Sequence, residues 1–290
     1  MKVEPGPASS ALRLHPAATR RLGAVVGAPV DVVCSDRAVR VHVEPDGHVR
    51  EPALVRRYGR AYVKNTEKGA GAGVFLVRPR SRGGWRVRLH GKDPDRRSRD
   101  GTAVVSDFRR LMQTATAKVG RPWRPDRWLV QQPVALARYR GRPFDVRVNV
   151  QKDGLGSWFI AGHVVRIASS QHSAVTRRGD YRSVEPVLKQ VWPGRVQSVI
   201  REMDSLSLEA CRRLEKALGL MGDVGVDVAL DERARPWFLE ANPRPCHALR
   251  TTDRLERAFW AKVFNPLVYA AHLAGFSLRS DHIVWPKHVS

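Results

Sequence analysis

The segment that most constrains the fold of this chain is DVGVDVALDERARPWFLEANPRP, residues 223–245. Its first half alternates apolar residues with other residues, which is typical of a β-strand with one buried face; the apolar positions are Val224, Val226, Val228 and Leu230. A second strand is predicted over Pro236–Asn242. Glu232–Arg235 then form a four-residue loop, and the two strands form a hairpin.

The loop length also predicts which residues of the two strands lie opposite each other. The expected pairs are Asp231 with Pro236, Ala229 with Phe238 and Asp227 with Glu240. On the second strand, one face is expected to carry Phe238, Glu240 and Asn242, and the other Trp237, Leu239 and Ala241. Asp227, Glu240 and Asn242 are therefore expected to converge.

These three converging side chains predict a metal site. Like charges repel at cross-strand distance, so the facing carboxylates of Asp227 and Glu240 favour a cation between them. Two carboxylates and the Asn242 amide are oxygen ligands, which Mg²⁺ prefers and Mn²⁺ also accepts. The alternative is a solvated hairpin whose acidic residues face water.

A glycine-rich turn joins two predicted strands in AYVKNTEKGAGAGVFLV, residues 61–77. Glycines there would let backbone N–H groups approach phosphates closely, and lysines supply cations beside them; these residues are Gly69, Gly71, Gly73, Lys64 and Lys68. Turns of this composition also occur in hairpins for conformational reasons alone. The metal site predicted on the hairpin of residues 223–242 favours the interpretation of this turn as a phosphate-binding site.

A strand predicted over Phe144–Gln151 has a fully polar face, which carries Asp145, Arg147, Asn149 and Gln151. Such a face is either exposed to solvent or lines a site, and Arg147 suits an anionic group. A turn over Lys152–Gly156 leads into a second strand, Ser157–Ala168. Simple register places Arg166 on the face opposite Arg147, so Arg166 joins the site only if a β-bulge intervenes or the strand is splayed.

Two other segments suggest ligand contacts. Trp128–Val134, WLVQQPV, begins as an apolar strand that runs into two glutamines, Gln131 and Gln132. Such a strand can serve as a nucleotide hinge that reads adenine, and a buried strand end is the alternative. Arg78–Arg99 is rich in arginine but contains one aromatic residue, Trp85, so it predicts either a solvated basic face or a surface for phosphate or nucleic acid.

The expected helices lie around these strands. They are a helix capped by Ser106, a helix through Val196 and Met203, another capped by Ser207 and ending at Gly219, and a C-terminal run from Asp253 to Phe264 that is interrupted at Pro266 and resumes to Leu273. An earlier helical patch, 16–22, and strands over 30–34 and 38–43 suggest a small N-terminal β-rich module, or padding of the larger domain.

Composition bounds the class of protein. A chain of 290 residues with 42% hydrophobic and 27% charged residues fits a globular protein of one large or two medium domains. No apolar run is long enough to span a membrane and MKVEPGPASS lacks the apolar core of an export signal, so a cytoplasmic location is expected. The scattered Cys34, Cys211 and Cys246 favour free thiols. The net charge of +23 indicates either compositional bias or a polyanionic partner.

The order of these parts resembles that of the ATP-grasp superfamily. The spacing of Asp227, Glu240 and Asn242, the last two within LEANPRP, is similar to that of its metal-binding hairpin. More narrowly, QQPVALARYRGRPFDVRVNVQKDGLGSWFIAGHVVRIA resembles the YheC/YheD-type ATP-grasp proteins associated with endospore coats. The resemblance implies an α+β ATP-grasp fold, in which two α+β subdomains grip ATP, preceded by the small N-terminal module.

The implied boundaries are 1–55 for the N-terminal module and 56–280 for the ATP-grasp domain, with a lid over about 60–130 and a metal and phosphate subdomain over about 131–280. The resemblance places Lys64 on the ATP phosphates, beside the turn with Lys68. It places Gln131, Gln132 and Val134 at the adenine, and Asp145 beside the nucleotide. Arg147 and Arg166 lie at the transferred phosphate, and Asp227, Glu240 and Asn242 bind Mg²⁺.

The implied activity is that of an ATP- and Mg-dependent ligase that joins a carboxylate to an amine or thiol through an acylphosphate, with an association with the spore. The basic charge favours an anionic carboxylate or peptide substrate, contacted by Arg177 and Arg244. The alternative is a catalytically weak ATP-grasp protein that acts as a nucleotide- or nucleic-acid-binding module. Nucleic acid is the less favoured partner, and no membrane partner is expected.

Overall fold

The computed structural model describes residues 38–40, 53–65, 74–90, 102–119, 128–169, 180–242 and 256–276. The chain forms two compact units, Met1–Ala135 and Leu136–Ser290. Most of the predicted N-terminal module lies outside the described residues. So do six predicted site residues, which are Lys68, Gly69, Gly71, Gly73, Arg177 and Arg244.

The first unit is built on a six-stranded antiparallel sheet. Its strands are β1 (Ala38–Arg40), β2 (Ala61–Asn65), β3 (Val74–Pro79), β4 (Trp85–His90), β5 (Thr102–Val105) and β6 (Trp128–Gln131). Their spatial order is β1-β6-β2-β3-β4-β5. Among the described residues of this unit, two helices accompany the sheet, α1 (Ala53–Tyr58) and α2 (Phe108–Val119).

The core of the first unit lies on one face of this sheet. Alternate strand residues point into it, and α2 packs against them through Phe108, Leu111 and Met112. The Trp85 and Phe108 rings meet edge to face with centroids 5.4 Å apart. The start of α2 differs from the prediction by one residue. Asp107, rather than Ser106, accepts the backbone N–H of Arg110 at 2.8 Å.

The turn between β3 and β4 depends on two glycines with left-handed backbone, Gly83 (φ 80°) and Gly84 (φ 77°). A Cβ on Gly84 would lie 2.5 Å from the Val105 carbonyl oxygen, whereas a Cβ on Gly83 would meet nothing within 4 Å. We expect Gly83→Ala to destabilise the protein by about 1 kcal/mol through backbone strain alone. Gly84→Ala should cost about 2 kcal/mol more, because β5 must also shift. Denaturant unfolding of the pair measures the difference, and equal losses would contradict the packing described here.

The second unit contains an antiparallel sheet in the order β10-β9-β8-β11-β12, with β7 paired to β8. The strands are β7 (Arg138–Tyr139), β8 (Arg142–Lys152), β9 (Trp158–Ile167), β10 (Asp180–Arg182), β11 (Asp223–Leu230) and β12 (Pro236–Asn242). The helices are α3 (Val184–Val191), α4 (Val196–Leu218) and α5 (Glu256–Leu273). Antiparallel sheets with separate helices confirm the predicted α+β class.

Helix α4 covers the apolar face of the second sheet. Its buried residues include Val199, Met203 and Leu214, and it packs against β8, β9, β11 and β12. The prediction of two helices here is wrong, because Ser207 does not cap a new helix. Ser207 is buried within α4 and its hydroxyl donates to the Met203 carbonyl at 2.7 Å, which lets a serine sit inside a continuous helix. The predicted end at Gly219 is confirmed.

Helix α5 is also continuous, although a break was expected at Pro266. Packing on both sides of the proline offsets the missing hydrogen bond. Before it, Asn265 donates to the Gln151 side chain at 3.0 Å. After it, Tyr269 is buried against Gly222, where a Cβ would lie 2.4 Å from the ring. Within the described ranges, no helix has the length and apolar character needed to cross a bilayer.

Candidate functional site

The hairpin of β11 and β12 places Asp227 directly opposite Glu240, as predicted, but by a different register. Leu230, not Asp231, pairs with Pro236, and Ala229 pairs with Trp237 rather than Phe238. A β-bulge at Leu239 then restores the pairing beyond it. The prediction that Phe238 shares a face with Glu240 is therefore wrong, because the bulge reverses the alternation between them.

A second β-bulge brings Arg166 to the same face as Arg147. Asn149 pairs with Gly162 and Val150 with Ile160, so Ala161 is the extra residue in β9. Beyond the bulge, Arg166 pairs with Asp145, which shares a face of β8 with Arg147. The condition that the sequence set for Arg166 to join Arg147 is met.

Four charged residues meet on this polar face of β8, β9 and β11. Arg166 grips Asp145 through two hydrogen bonds, from Nε to Oδ1 at 2.6 Å and from Nη2 to Oδ2 at 2.7 Å. Arg166 Nη2 also lies 2.9 Å from Asp227 Oδ2. Arg147 donates from Nε to Asp227 Oδ1 and from Nη2 to Oδ2 at 3.1 Å. Both oxygens of Asp227 are thus engaged by arginine.

The four side chains form a charge-balanced cluster that is largely removed from water. Asp145 and Asp227 are each 3% exposed. Burial alone would raise the pKa of Asp227, but Arg166 and Arg147 outweigh it and hold the pKa at about 2. At Asp145 burial dominates and raises the pKa, although Arg166 opposes the shift. Asp227 is therefore an anion at neutral pH, as a metal ligand must be.

The two remaining predicted metal ligands lie on β12 beside this cluster. Glu240 is exposed and accepts a hydrogen bond from Asn242 Nδ2 at 3.3 Å. Asn242 is 1% exposed and pairs with Gly225. The described residues contain no group of three or more His, Cys, Asp or Glu side chains suited to a metal. The oxygen donors of Asp227, Glu240 and Asn242 suit Mg²⁺ completed by water or phosphate, provided that the arginines release Asp227.

The far end of the polar face is structural. Gln151 Nε2 donates to Asp223 at 3.1 Å, and Asn265 on α5 donates to Gln151 at 3.0 Å. Asn149 donates to the Gly162 carbonyl at 3.3 Å. These hydrogen bonds satisfy buried amides and fix β8 against its neighbours. The charged side chains of Arg147 and Arg166 lie at the other end of the face, beside the hairpin of β11 and β12.

In the first unit, the predicted nucleotide residues occupy two different environments. Lys64 on β2 and Gln131 at the end of β6 are half-buried on the face opposite the core, and Val134 is half-buried just after β6. Gln132 is 8% exposed, and its Oε1 accepts no hydrogen bond from any described residue. A buried acceptor without a donor is costly, so its donor is expected to come from outside the described residues, for example from water or a ligand.

The bulge at Leu239 and the pairing of Asp145 with Arg166 were not predicted from the sequence, whereas a bulge in β8 or β9 was stated as one condition for Arg166 to join Arg147. One bulge carried a signal, because Gly162 interrupts an otherwise regular strand pattern beside the extra residue. The bulge at Leu239 carried none. The ion pair of Arg147 with Asp227 joins residues 80 apart in sequence and depends on β8 lying beside β11.

Known proteins show the same family as the sequence motifs. The sequence model of the YheC/D-like ATP-grasp family matches residues 50–273. The endospore coat-associated protein YheD of Bacillus subtilis (strain 168) is 26% identical to this chain over 238 residues, which make up 81% of this chain and 50% of YheD. The chain therefore spans about half the length of this curated relative.

Two solved structures align with most of this chain at low sequence identity. The C-terminal domain of K. lactis Pby1, described as an ATP-grasp enzyme interacting with the mRNA decapping enzyme Dcp2, gives a TM-score of 0.49 at 14% identity over 92% of this chain and 75% of that chain. The D-alanine–D-alanine ligase of Bacillus anthracis complexed with ATP gives 0.44 at 12% identity, over 90% and 63%. Neither alignment bears on what this chain binds.

The family match covers well over half of the chain. It agrees with the resemblance that the residues of the hairpin and of β8 and β9 carry, and so confirms it. This chain belongs to the YheC/D-like ATP-grasp family.

Proposed function

We propose that this chain is an ATP- and Mg-dependent ligase that activates a carboxylate as an acylphosphate and joins it to an amine or thiol. The observation that supports this most is the polar face of the second sheet. There, two arginines and three oxygen ligands lie on four adjacent strands, β9, β8, β11 and β12. A phosphoryl-transfer site needs both positive charge and metal ligands within reach of one group.

Mg²⁺ would be held by Asp227, Glu240 and Asn242, and when bound it neutralises charge on the phosphoryl oxygens. Arg147 and Arg166 contact the transferred phosphoryl group and stabilise the charge that develops on it. Asp145 cannot bind nucleotide in the way that the sequence suggested while both of its oxygens hold Arg166. We assign it a positioning role, fixing the Arg166 guanidinium by a bidentate contact.

The chemistry proceeds in two displacements. A carboxylate oxygen of the acceptor attacks the γ-phosphorus, the bond to the β–γ bridging oxygen breaks, and ADP leaves. The amine or thiol then attacks the acyl carbon and loses its proton, and phosphate leaves with the former carboxylate oxygen. The residues of the polar face act by binding, orientation and charge, so none has to become covalently modified.

For the nucleotide we keep the residues proposed from the sequence. Lys64 and Lys68, with Gly69, Gly71 and Gly73, are proposed to contact the phosphates. Gln131, Gln132 and Val134 are proposed to contact the adenine. Gln132 has structural support, because its Oε1 accepts no hydrogen bond within the described part of the chain and can accept the exocyclic N–H of adenine. Guanine presents an oxygen at that position and would leave the acceptor unsatisfied.

Replacement of Gln132 by Leu tests this role through two opposite effects. Removing an unsatisfied buried acceptor should leave stability unchanged or raise it by about 1 kcal/mol. Loss of the adenine contact should weaken ATP binding about tenfold and leave GTP binding unchanged. Calorimetric titration and thermal unfolding measure the two quantities. A large loss of stability, or equal losses for ATP and GTP, would contradict the role.

The acceptor is proposed to be an anionic carboxylate, either small or part of a peptide. The net charge of +23 favours it, and Arg177 and Arg244 are proposed to contact it. Because the relative YheD is described as endospore coat-associated, a substrate from the spore envelope is part of this proposal. Charge reversal at Arg177 or Arg244 should raise the KM for an acidic acceptor more than it lowers kcat.

A second candidate function is nucleotide binding without ligation. The engagement of Asp227 by two arginines favours it, since a metal must compete with them. The two proposals differ in phosphate release. We would incubate the protein with Mg·ATP and pooled metabolite and peptide acids, and follow phosphate and product masses. Acid-dependent phosphate release with a new condensed product supports the ligase, whereas saturable Mg·ATP binding without release supports the binding module.

A further inference from the structure

The β3–β4 hairpin of the first unit carries a cluster of exposed arginines, Arg78, Arg80, Arg82 and Arg86. Arg78 and Arg86 are directly paired across the two strands, so their side chains share one face. That face is opposite the core, because the neighbours of Arg86, Trp85 and Val87, are buried. Arg80 and Arg82 lie on the turn next to this pair. We call these four residues the arginine hairpin.

Nothing in the described part of the chain neutralises the arginine hairpin. None of its arginines forms an ion pair with another described residue. Asp107 is the one carboxylate among the described residues of the first unit, and it is used to cap α2. Like charges placed directly opposite on a sheet repel, so Arg78 and Arg86 weaken the hairpin in isolation.

Many arginines of the second unit, in contrast, lie beside carboxylates. Among the described arginines of the second unit, six form ion pairs with carboxylates, namely Arg142, Arg147, Arg166, Arg195, Arg213 and Arg235. A uniform bias towards arginine does not by itself place four exposed arginines together on one hairpin whose described residues include no carboxylate. The turn also holds the cluster in place, because Arg80 N donates to the Gly84 carbonyl and Gly84 packs against Val105.

We propose that the arginine hairpin is a docking surface for an acidic polypeptide, a property beyond the ligase activity. Paired guanidinium groups hold carboxylates through bidentate hydrogen bonds. Phe75 and Trp85 on the two strands of this hairpin are both buried, so neither ring can stack on a base, which disfavours single-stranded nucleic acid. Exposed Val104 lies beside Arg86 on β5 and offers apolar contact to a polypeptide chain.

The test measures binding of a fluorescein-labelled oligoglutamate by anisotropy, without nucleotide, so the result does not depend on the proposed ligase activity. The variant Arg78→Gln/Arg86→Gln should weaken binding about tenfold, and the affinity should fall as salt rises. The matched control is Arg201→Gln/Arg212→Gln, which removes the same charge from exposed positions on α4 and should change affinity less than about twofold. Oligoglutamine should not bind.

Three results would overturn the proposal. Equal losses in the two double variants would show attraction to net charge rather than to this hairpin. Tighter binding of an oligothymidylate of the same charge, with the same dependence on Arg78 and Arg86, would assign the surface to nucleic acid. Absence of oligoglutamate binding at low salt would exclude a docking site. If Arg78→Gln/Arg86→Gln unfolds, Arg80→Gln/Arg82→Gln on the turn is expected to show the same selective loss.

Discussion

Replacement of Glu240 by Gln should lower Mg·ATP-dependent phosphate release about a thousandfold while the fold keeps its stability. Glu240 is exposed, and the amide of Gln can still accept the hydrogen bond that Asn242 donates. The substitution therefore removes a negative charge from the proposed metal site, and the Gln amide can also donate to the Asp227 carboxylate with which Glu240 is hydrogen-bonded. A coupled phosphate assay and thermal unfolding of the same preparation measure both effects.

Asp227→Asn is the matched comparison on the facing strand, and it should lose both activity and stability. Asp227 is buried and balances the charge of Arg147 and Arg166, so its neutralisation leaves positive charge uncompensated in the interior. We expect a cost of about 3–5 kcal/mol in unfolding free energy. The proposal gives Glu240 a role in metal binding alone and Asp227 a role in both metal binding and stability. It is wrong if Glu240→Gln keeps wild-type turnover or destabilises the protein as much as Asp227→Asn does.

Arg147→Gln is expected to change metal and nucleotide binding in opposite directions. Without nucleotide, Mn²⁺ must compete with Arg147 and Arg166 for Asp227, so the wild-type protein should bind free Mn²⁺ weakly. Removal of Arg147 frees one side of the carboxylate and should strengthen binding of Mn²⁺ alone about tenfold. The same change removes a phosphate contact and should weaken Mg·ATP binding by about tenfold or more.

Electron paramagnetic resonance of Mn²⁺ gives the first affinity, and calorimetry with a non-hydrolysable ATP analogue and Mg²⁺ gives the second. Arg212→Gln is the control, because it removes one exposed positive charge far along α4 without touching the polar face. Any general effect of net charge on cation binding appears in both variants. If Arg147→Gln binds Mn²⁺ no more tightly than Arg212→Gln does, Arg147 does not compete with the metal for Asp227.

Strand periodicity predicted the polar face of β8 and the convergence of Asp227 with Glu240, because alternation is a local property of the chain. The pairing of Asp227 with Glu240 was nevertheless predicted from a wrong loop register. The predicted register was wrong by one residue at the loop, where Leu230 pairs with Pro236. The bulge at Leu239 compensates for this shift, so Asp227 still pairs with Glu240. Bulges depend on packing across the sheet. Only one of these two bulges had a sequence signal, which is the glycine at position 162 beside the extra residue of β9.

Contacts between residues far apart in the chain could not be predicted from the sequence. Arg147 and Arg166 were expected to face a phosphate, and in the structure they form ion pairs with Asp227 and Asp145. These ion pairs follow from the strand order β9-β8-β11, which periodicity does not encode. Helix continuity at Ser207 and Pro266 was missed for the same reason, since burial against the second sheet overrides local capping and breaking preferences.

The most direct test of the proposed ligase follows one oxygen atom. The protein, Mg·ATP and an amine would be incubated with pooled metabolite and peptide acids whose carboxylates carry ¹⁸O, and the released phosphate would be analysed by mass spectrometry. Attack of a carboxylate oxygen on the γ-phosphorus predicts phosphate that carries one ¹⁸O, with none formed by Glu240→Gln. Phosphate that takes its new oxygen from water would contradict acylphosphate formation and reduce the activity to ATP hydrolysis.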